Sequence, residues 1–143
     1  MVGGATTMHG PRPQAHFRVW IDGDELALSS VTAFAGEVLA GADRADVADQ
    51  ADGPAPQRVV LTRAVQGDRR LFDWYAAAQH GKAATRLIEI ALLDGPGGRV
   101  LDQWQLLNAT PRRWTGPRFD GLGSGIAEES LTVHFTEIRW VTP

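Results

Sequence analysis

The sequence contains no cysteine among its 143 residues. That absence excludes a disulfide framework, a thiolate zinc site, an iron–sulfur cluster and a cysteine nucleophile. No stretch approaches the roughly 18 consecutive apolar residues that a membrane span needs, and the start of the chain lacks the cationic and apolar regions of a secretory signal. We therefore expect the protein to assemble in the cytoplasm and not to insert stably into a membrane.

Positive charge is also scarce. Lys82 is the one lysine beside 13 arginines, and 17 acidic residues leave a formal net charge of -3. Domains dedicated to polyanions usually carry a clear excess of basic residues, so the composition disfavours a specific nucleic-acid partner. With 43% hydrophobic and 22% charged residues, the chain is instead typical of a soluble globular protein, and its length favours one domain.

Residue types that often carry chemistry form no recognisable arrangement. Residues 121–125 read GLGSG, which matches neither a nucleophile elbow nor a phosphate-binding loop. Aspartates in residues 41–57 recur at every third position, whereas an EF-hand places ligands at alternate positions. The four histidines stand far apart, without metal-binding spacing: His9, His16, His80 and His134. We predict that the protein is not an enzyme and needs no cofactor and no metal.

Alternation of apolar and polar residues predicts mostly β-strands. Residues 16–22 alternate and end in an Asp-Gly turn, so residues 26–35 are predicted as the partner strand of a hairpin, with a bulge near Ser29. In residues 129–141 the apolar positions change parity, which indicates either a bulge or a passage from one covered face to another. Further strands are predicted over residues 57–65, 85–94 and 99–107.

One segment has the period of a helix. Apolar residues follow Leu71 at the third, fourth and seventh positions, which places a single apolar stripe on a helix over residues 68–80. Asp68 can satisfy free amides at its start, and Gly81 can end it. The predicted fold is therefore mainly β, a barrel or sandwich of two packed antiparallel sheets with one flanking α-helix.

The organisation along the chain follows from the same patterns. Residues 1–15 are small and contain glycine and proline, so we predict a flexible N-terminal tail. Residues 16–143 are predicted as a single domain. Within it, residues 41–57 read GADRADVADQADGPAPQ, which predicts an extended loop that is solvated or faces a partner.

Residues 104–117, WQLLNATPRRWTGP, allow two interpretations. Pro111 is predicted to interrupt regular strand pairing, and a turn at Gly116 would make Trp114 its anchor. Arg112 and Arg113 are then candidates for contacts with a neighbouring subunit. The alternative is a small β-barrel binding domain in which the arginines and the indole hold an anionic ligand or single-stranded nucleic acid.

The order of the segments carries a further signal. The sequence has HFRVWIDG near its start, VVLTRAVQGDRRLFDWYAAAQHGK in the middle, IEIALLDGPGGRVLDQWQLLNATPRRWTGP after it and EESLTVHFTEIRW at its end. These segments resemble the tail-tube protein family of contractile phages and related injection particles. The most specific match is N-A-x-P-x-x-W-x-G-P, which runs here from Asn108 to Pro117.

The resemblance implies a structural role. It implies homo-hexameric rings that stack on themselves or on related tube proteins, inside a contractile sheath and above a baseplate with its spike hub. It also implies that the protein becomes part of a phage tail or a tail-like particle, including particles released from the cell. The alternative within the family is a specialised ring that joins the tube to the spike hub.

The resemblance also points to the loop as an interface. In the family, the extended loop before the third strand reaches neighbouring subunits, and here it lacks the family's glycine-rich approach, which is reduced to PAPQ before Arg58. The changed loop leaves the stacking partner open. The interface candidates in this loop are Asp43, Arg44, Asp46, Asp49 and Asp52, in addition to the Arg-Arg-Trp segment described above.

Overall fold

The structure is a computed structural model and describes residues 16–32, 34–35, 57–82, 84–123 and 125–142. The predicted tail and residues 41–56 of the predicted loop lie outside the described residues. In the described part the elements are, in chain order, β1 Phe17–Ile21, β2 Asp24–Leu26, β3 Ser30–Thr32, β4 Arg58–Ala64, α1 Arg70–Gln79, β5 Arg86–Leu93, β6 Val100–Thr115, β7 Glu128–His134 and β8 Glu137–Val141.

The strands form two antiparallel sheets that share β6. In the first sheet the order is β2-β1-β5-β6, with β8 on the far side of β6. In the second sheet the order is β6-β7-β4-β3. β7 and β8 both pair with β6, one after the other along its length, so the three strands form one long antiparallel ribbon. At one end the ribbon is extended by β5, β1 and β2, and at the other end by β4 and β3. The mainly β fold with one helix is confirmed.

Two β-bulges allow β6 to serve both sheets. Leu106 pairs with Ile88 and Ala109 pairs with Arg86, so two residues of β6 stand opposite one residue of β5. A second irregularity follows Pro111, where Arg112 is the additional residue. Each added residue shifts the alternation by one and bends the strand. The core-facing positions of β6 are therefore spaced by three, two and three residues: Leu106, Ala109, Pro111 and Trp114.

The predicted interruption of regular pairing at Pro111 takes the form of a register shift between Pro111 and Arg113, and the strand does not end there. Pro111 lies inside β6 and pairs with Val133 of β7. Residues 110–115 have β7 on one side and, within the described residues, no strand on the other. A proline is tolerated there because its missing N–H faces away from the pairing partner. Trp114 consequently belongs to a strand and not to a turn.

The predicted hairpin partner over residues 26–35 is wrong in its extent. Of residues 26–35, only Leu26, the last residue of β2, pairs with β1, and the chain then crosses to the second sheet, where the Ser29 N–H donates to the Thr62 carbonyl at 2.8 Å. β3 pairs with β4. The irregular alternation near Ser29 thus marks a transfer between sheets and not a bulge, because alternation alone does not show which sheet a residue serves.

Residues 129–141 pass from one covered face to another, which is the second of the two alternatives that their change of parity allows. β7 belongs to the second sheet and β8 to the first, and Phe135 between them is buried in the core. The Thr136 N–H donates to the Leu107 carbonyl at 3.0 Å, which holds the junction against the bulge in β6. The change of parity in the sequence therefore reports a passage from one sheet to the other.

The helix forms as expected within two residues at its start and one at its end. Leu71 and Trp74 are buried, and Gly81, at a φ of 69°, donates its N–H to the Ala78 carbonyl at 3.0 Å. One core joins both sheets and the helix. Its fully buried large side chains are Val19, Val59, Leu61, Leu71, Ile88, Leu106, Leu131 and Val133.

Asn108 occupies the corner between the sheets. Its φ is 56°, in the left-handed region that non-glycine residues seldom adopt, although asparagine does so more readily than most. Its side-chain amide donates to the Thr136 hydroxyl oxygen at 2.8 Å. Asn108 thus combines the backbone conformation of the bulge with a hydrogen bond to the opposite chain junction.

Replacing Asn108 separates these two contributions. Asn108→Val should lower the free energy of unfolding by about 1–3 kcal/mol, because a β-branched residue is strained at this φ. Asn108→Gly should cost less, about 0.5–1.5 kcal/mol, since glycine accepts the conformation and only the hydrogen bond is lost. Urea denaturation measures both. Equal losses in the two variants would contradict the role assigned to the backbone conformation.

Candidate assembly surfaces

The three predicted contact residues of β6 do not share one face. Arg112 is the additional residue of the bulge, and Arg113 pairs with the outward-facing Thr132; both arginines are exposed. Trp114 pairs with Leu131 and packs against the core. The aspartates and Arg44 of the predicted loop lie outside the described residues, so their part in an interface stays a prediction.

Trp114 is fixed between the helix and β7. Its ring meets that of Phe72 edge-on, with centroids 5.0 Å apart and planes at 77°, and its indole N–H donates to Glu129 at 2.8 Å. Gly116 lies directly against the ring, since a Cβ there would come within 2.9 Å of an indole carbon. An indole held in this way is poorly suited to the stacking of mobile bases that single-strand binding requires.

A buried arginine closes the core beneath Trp114. The Arg63 side chain is 4% exposed and lies directly opposite Glu129 on the neighbouring strand. One terminal nitrogen of Arg63 lies 3.1 Å from Asp68, while its Nε lies 3.8 Å from Glu129, too far for a hydrogen bond. We name Arg63, Asp68 and Glu129 the polar cap. It places two carboxylates around a desolvated cation, which a buried charge requires.

Asp68 connects the polar cap to the helix. Hydrogen bonds from the Arg70 side chain, at 2.7–3.1 Å, hold the pKa of Asp68 well below its usual range. The backbone N–H of Arg70, at 3.0 Å, and the nearby Arg63 add to this lowering. The predicted capping role of Asp68 is met only in part: the N-cap residue is Arg69, which makes no side-chain cap hydrogen bond, and Asp68 accepts from the Arg70 N–H alone.

A groove lies above the polar cap, between the helix and β6. Its volume is about 270 Å³, and apolar side chains form much of its wall. It was not expected from the sequence, because its residues come from three separate segments. The lining residues are Val65, Gly67, Asp68, Arg69, Phe72, Trp114, Pro117 and Glu129.

Large apolar side chains are exposed in two parts of the described chain. In the connection between β6 and β7, Phe119 is 92%, Leu122 is 99% and Ile126 is 81% exposed. At the other end of β6, Trp140 is 69% exposed and its ring lies 5.2 Å from that of Trp104. Isolated exposed apolar residues are ordinary, but a cluster of them indicates an interaction surface.

The described residues offer no arrangement for metal chemistry or a membrane span. No group of three or more histidine, aspartate or glutamate side chains in the described ranges is placed to hold a metal ion. No helix of the described part is long and apolar enough to cross a membrane.

The polar cap predicts that the free energy of unfolding depends on pH. Because the pKa of Asp68 is lowered by folding, its contribution is present above the ordinary carboxyl pKa of about 3.9 and is lost as pH falls below it. Asp68→Asn should therefore lower the free energy of unfolding at pH 7 by about 1–3 kcal/mol, and the difference from the unchanged protein should narrow in acid. Denaturant titrations at several pH values measure it.

The control for this variant is Asp73→Asn. Asp73 faces Arg69 at 3.6 Å, but both side chains are more than 60% exposed. Such a pair contributes about 0–1 kcal/mol. A loss at Asp68 that is as small as the loss at Asp73, or that does not change with pH, would contradict the polar cap.

The close contact at Gly116 gives a second stability test. Gly116→Ala should cost about 1–3 kcal/mol and change the tryptophan fluorescence, because the added methyl group displaces the Trp114 ring. Gly121→Ala is the matched control, since a Cβ at that glycine meets nothing within 4 Å. If the two variants unfold at the same denaturant concentration, Trp114 is not held as described.

Comparisons with known proteins agree with this architecture. The chain is similar to a chain of the PVC sheath-tube complex of an extracellular contractile injection system in its extended state, with a TM-score of 0.74, 22% identity, and coverage of 98% of this chain and 97% of that one. A chain of the anti-feeding prophage cap gives a TM-score of 0.73 and 22% identity, with coverage of 94% and 93%.

A more distant structure has the same fold. Hcp1 from Flavobacterium johnsoniae gives a TM-score of 0.59 at 12% identity, with coverage of 89% of this chain and 95% of that one. No curated protein sequence matches the chain. The sequence profile of the family described as "T4-like virus tail tube protein gp19" matches residues 13–139. That match spans most of the chain, and the protein belongs to the T4-like virus tail tube protein gp19 family.

Proposed function

We propose that the protein is a structural inner-tube subunit of a contractile tail or contractile injection system. Its rings, each of six copies, stack into a hollow rigid tube that a contracting sheath drives through a target envelope. The observation that carries the proposal is the family match over residues 13–139. The similar fold in a sheath-tube complex supports it.

The open strand edges support assembly from several copies. Within the described residues, β8 pairs only with β6. The other side of β8 is a sheet edge, whose backbone N–H and C=O groups a neighbouring strand can satisfy. A closed ring satisfies such groups between copies and leaves no free end.

The position of the subunit in the tube has two candidates. The first is the repeating subunit, and the second is a specialised ring at one end. Chains of similar fold occur in a tube-terminating cap, in a sheath/tube terminator and in a baseplate described as 6-fold symmetrised. The fold therefore suits several levels of a tube, and we retain the repeating subunit as the proposal.

The proposed role includes no catalysis and no specific nucleic-acid binding. Assembly takes place in the cytoplasm, and the protein then forms part of a phage tail or an extracellular tail-like particle. The rival binding function needs Trp114 as a stacking surface, but its ring is fixed against Phe72 and its N–H is donated to Glu129. The sheath and the baseplate with its spike hub are the proposed partners.

The proposal predicts rings. At rising protein concentration, mass photometry should show a species of six times the 15.5 kDa chain mass, and negative-stain images should show rings or stacked tubes. A monodisperse monomer at high concentration would contradict the proposal. Filter binding with single-stranded DNA at low salt is the companion measurement, and tight binding with a steep salt dependence would favour the rival function.

A further inference from the structure

Two apolar surfaces of the described chain have no partner within it. The first, which we name the acceptor surface, consists of the groove beside Trp114 and the exposed side chains of Phe119, Leu122 and Ile126. The second, which we name the Trp140 patch, consists of Trp140 and the ring of Trp104 beneath it. We propose that the Trp140 patch of one copy docks on the acceptor surface of the next copy within a ring. This inference rests on the proposed function.

The connection that carries the exposed side chains begins and ends near the groove. Pro117 lines the groove and lies two residues before Phe119. At the other end, the Val65 N–H donates to the Ala127 carbonyl at 2.9 Å, and Val65 also lines the groove. Both ends of this connection are therefore fixed beside a recess of about 270 Å³.

The Trp140 patch has the properties of an interface anchor. The indole N–H of Trp140 donates to Asp102 at 3.3 Å, so its polar edge has a partner before any docking. Trp104 lies beneath it at 5.2 Å, and Phe34 meets Trp104 edge-on at 6.0 Å. A large aromatic side chain that is held in place and remains 69% exposed is typical of the residues that dominate binding energies.

The two surfaces lie along the same strand. At about 3.3 Å per residue, the part of β6 between Trp104 and Trp114 spans up to roughly 33 Å. Contact between two unlike surfaces either joins two copies about a two-fold axis, where each surface meets its counterpart, or propagates from copy to copy and closes into a ring. The proposed tube function requires the ring, and the oligomeric state distinguishes the two arrangements.

Charges and areas are compatible with a second copy as the occupant. Arg118 and Asp120 flank Phe119, while Glu137 and Arg139 flank the Trp140 patch, so each surface offers both signs to the other. The ion pair of Glu137 and Arg139 is exposed, and such pairs rearrange at little cost. One aromatic side chain buries about 150–250 Å², so this contact supplies the apolar centre of an interface of about 800 Å² per partner.

The cysteine-free sequence allows a direct test. Leu122→Cys places a thiol on the acceptor surface, and Thr142→Cys places one two residues beyond Trp140. The two single variants are mixed, assembled and treated with a short bis-maleimide, and covalent dimers are counted on a denaturing gel. We expect at least about tenfold more dimer than in a mixture of Leu122→Cys with Lys82→Cys, because adjacent thiols react at a high effective concentration.

Three results would overturn the inference. Dimers from Leu122→Cys alone would show a two-fold contact between like surfaces. Rings without the mixed dimer would show that other surfaces join the copies, which leaves the tube function intact. Monomers under all conditions would contradict the contact and the tube function together, so the oligomeric state is measured by mass photometry in the same samples.

A second variant tests the anchor without cysteines. Trp140→Ser should shift the concentration at which rings form upward by at least about tenfold, as expected for an anchor in a central pocket. Val65→Ser tests the groove in the same assay and should act in the same direction, with Lys82→Ser as the control. Unchanged assembly in Trp140→Ser, with its circular dichroism intact, would overturn the inference.

Discussion

The rest of the structure depends on a single strand that belongs to two sheets. β6 pairs with β5 over its first part and with β7 over its last, and β8 continues β7 along the same side. A regular strand of this length would carry every second side chain to one face of one sheet. The bulges at Asn108 and Arg112 instead turn the strand and keep Leu106, Ala109 and Trp114 directed into one core.

The polar cap follows from the same geometry. Arg63 of β4 lies directly opposite Glu129 of β7, one residue before the last pair of the two strands. A buried arginine is costly unless carboxylates lie near it, and Asp68, just before the helix, supplies the second one. Asp68 also pairs with Arg70 at the start of the helix, so it links β4 to the helix beside the groove that Asp68 and Glu129 both line.

These observations explain what the sequence could and could not predict. The helix and the strands with uninterrupted alternation were predicted because one face of each contacts the core. The role of residues 104–117 was missed, because each bulge changes the parity and a proline normally ends pairing. At Ser29 the chain passes from one sheet to the other, but the sequence pattern predicts a bulge there, because both change the parity of the apolar positions. The groove and the exposed Leu122 depend on which separate segments meet, and alternation along the chain carries no such information.

The exposed apolar side chains set a limit on how copies can associate. Complete burial of Phe119, Leu122 and Ile126 contributes about 1.5–3 kcal/mol each, or roughly 5–9 kcal/mol in all, while association costs an estimated 4–15 kcal/mol. On these figures one such contact approximately offsets its own cost, and an isolated pair of copies would be weakly held. A closed ring forms one more contact than an open chain of the same number of copies without immobilising another subunit. Closure of the proposed ring would therefore favour assembly over isolated pairs.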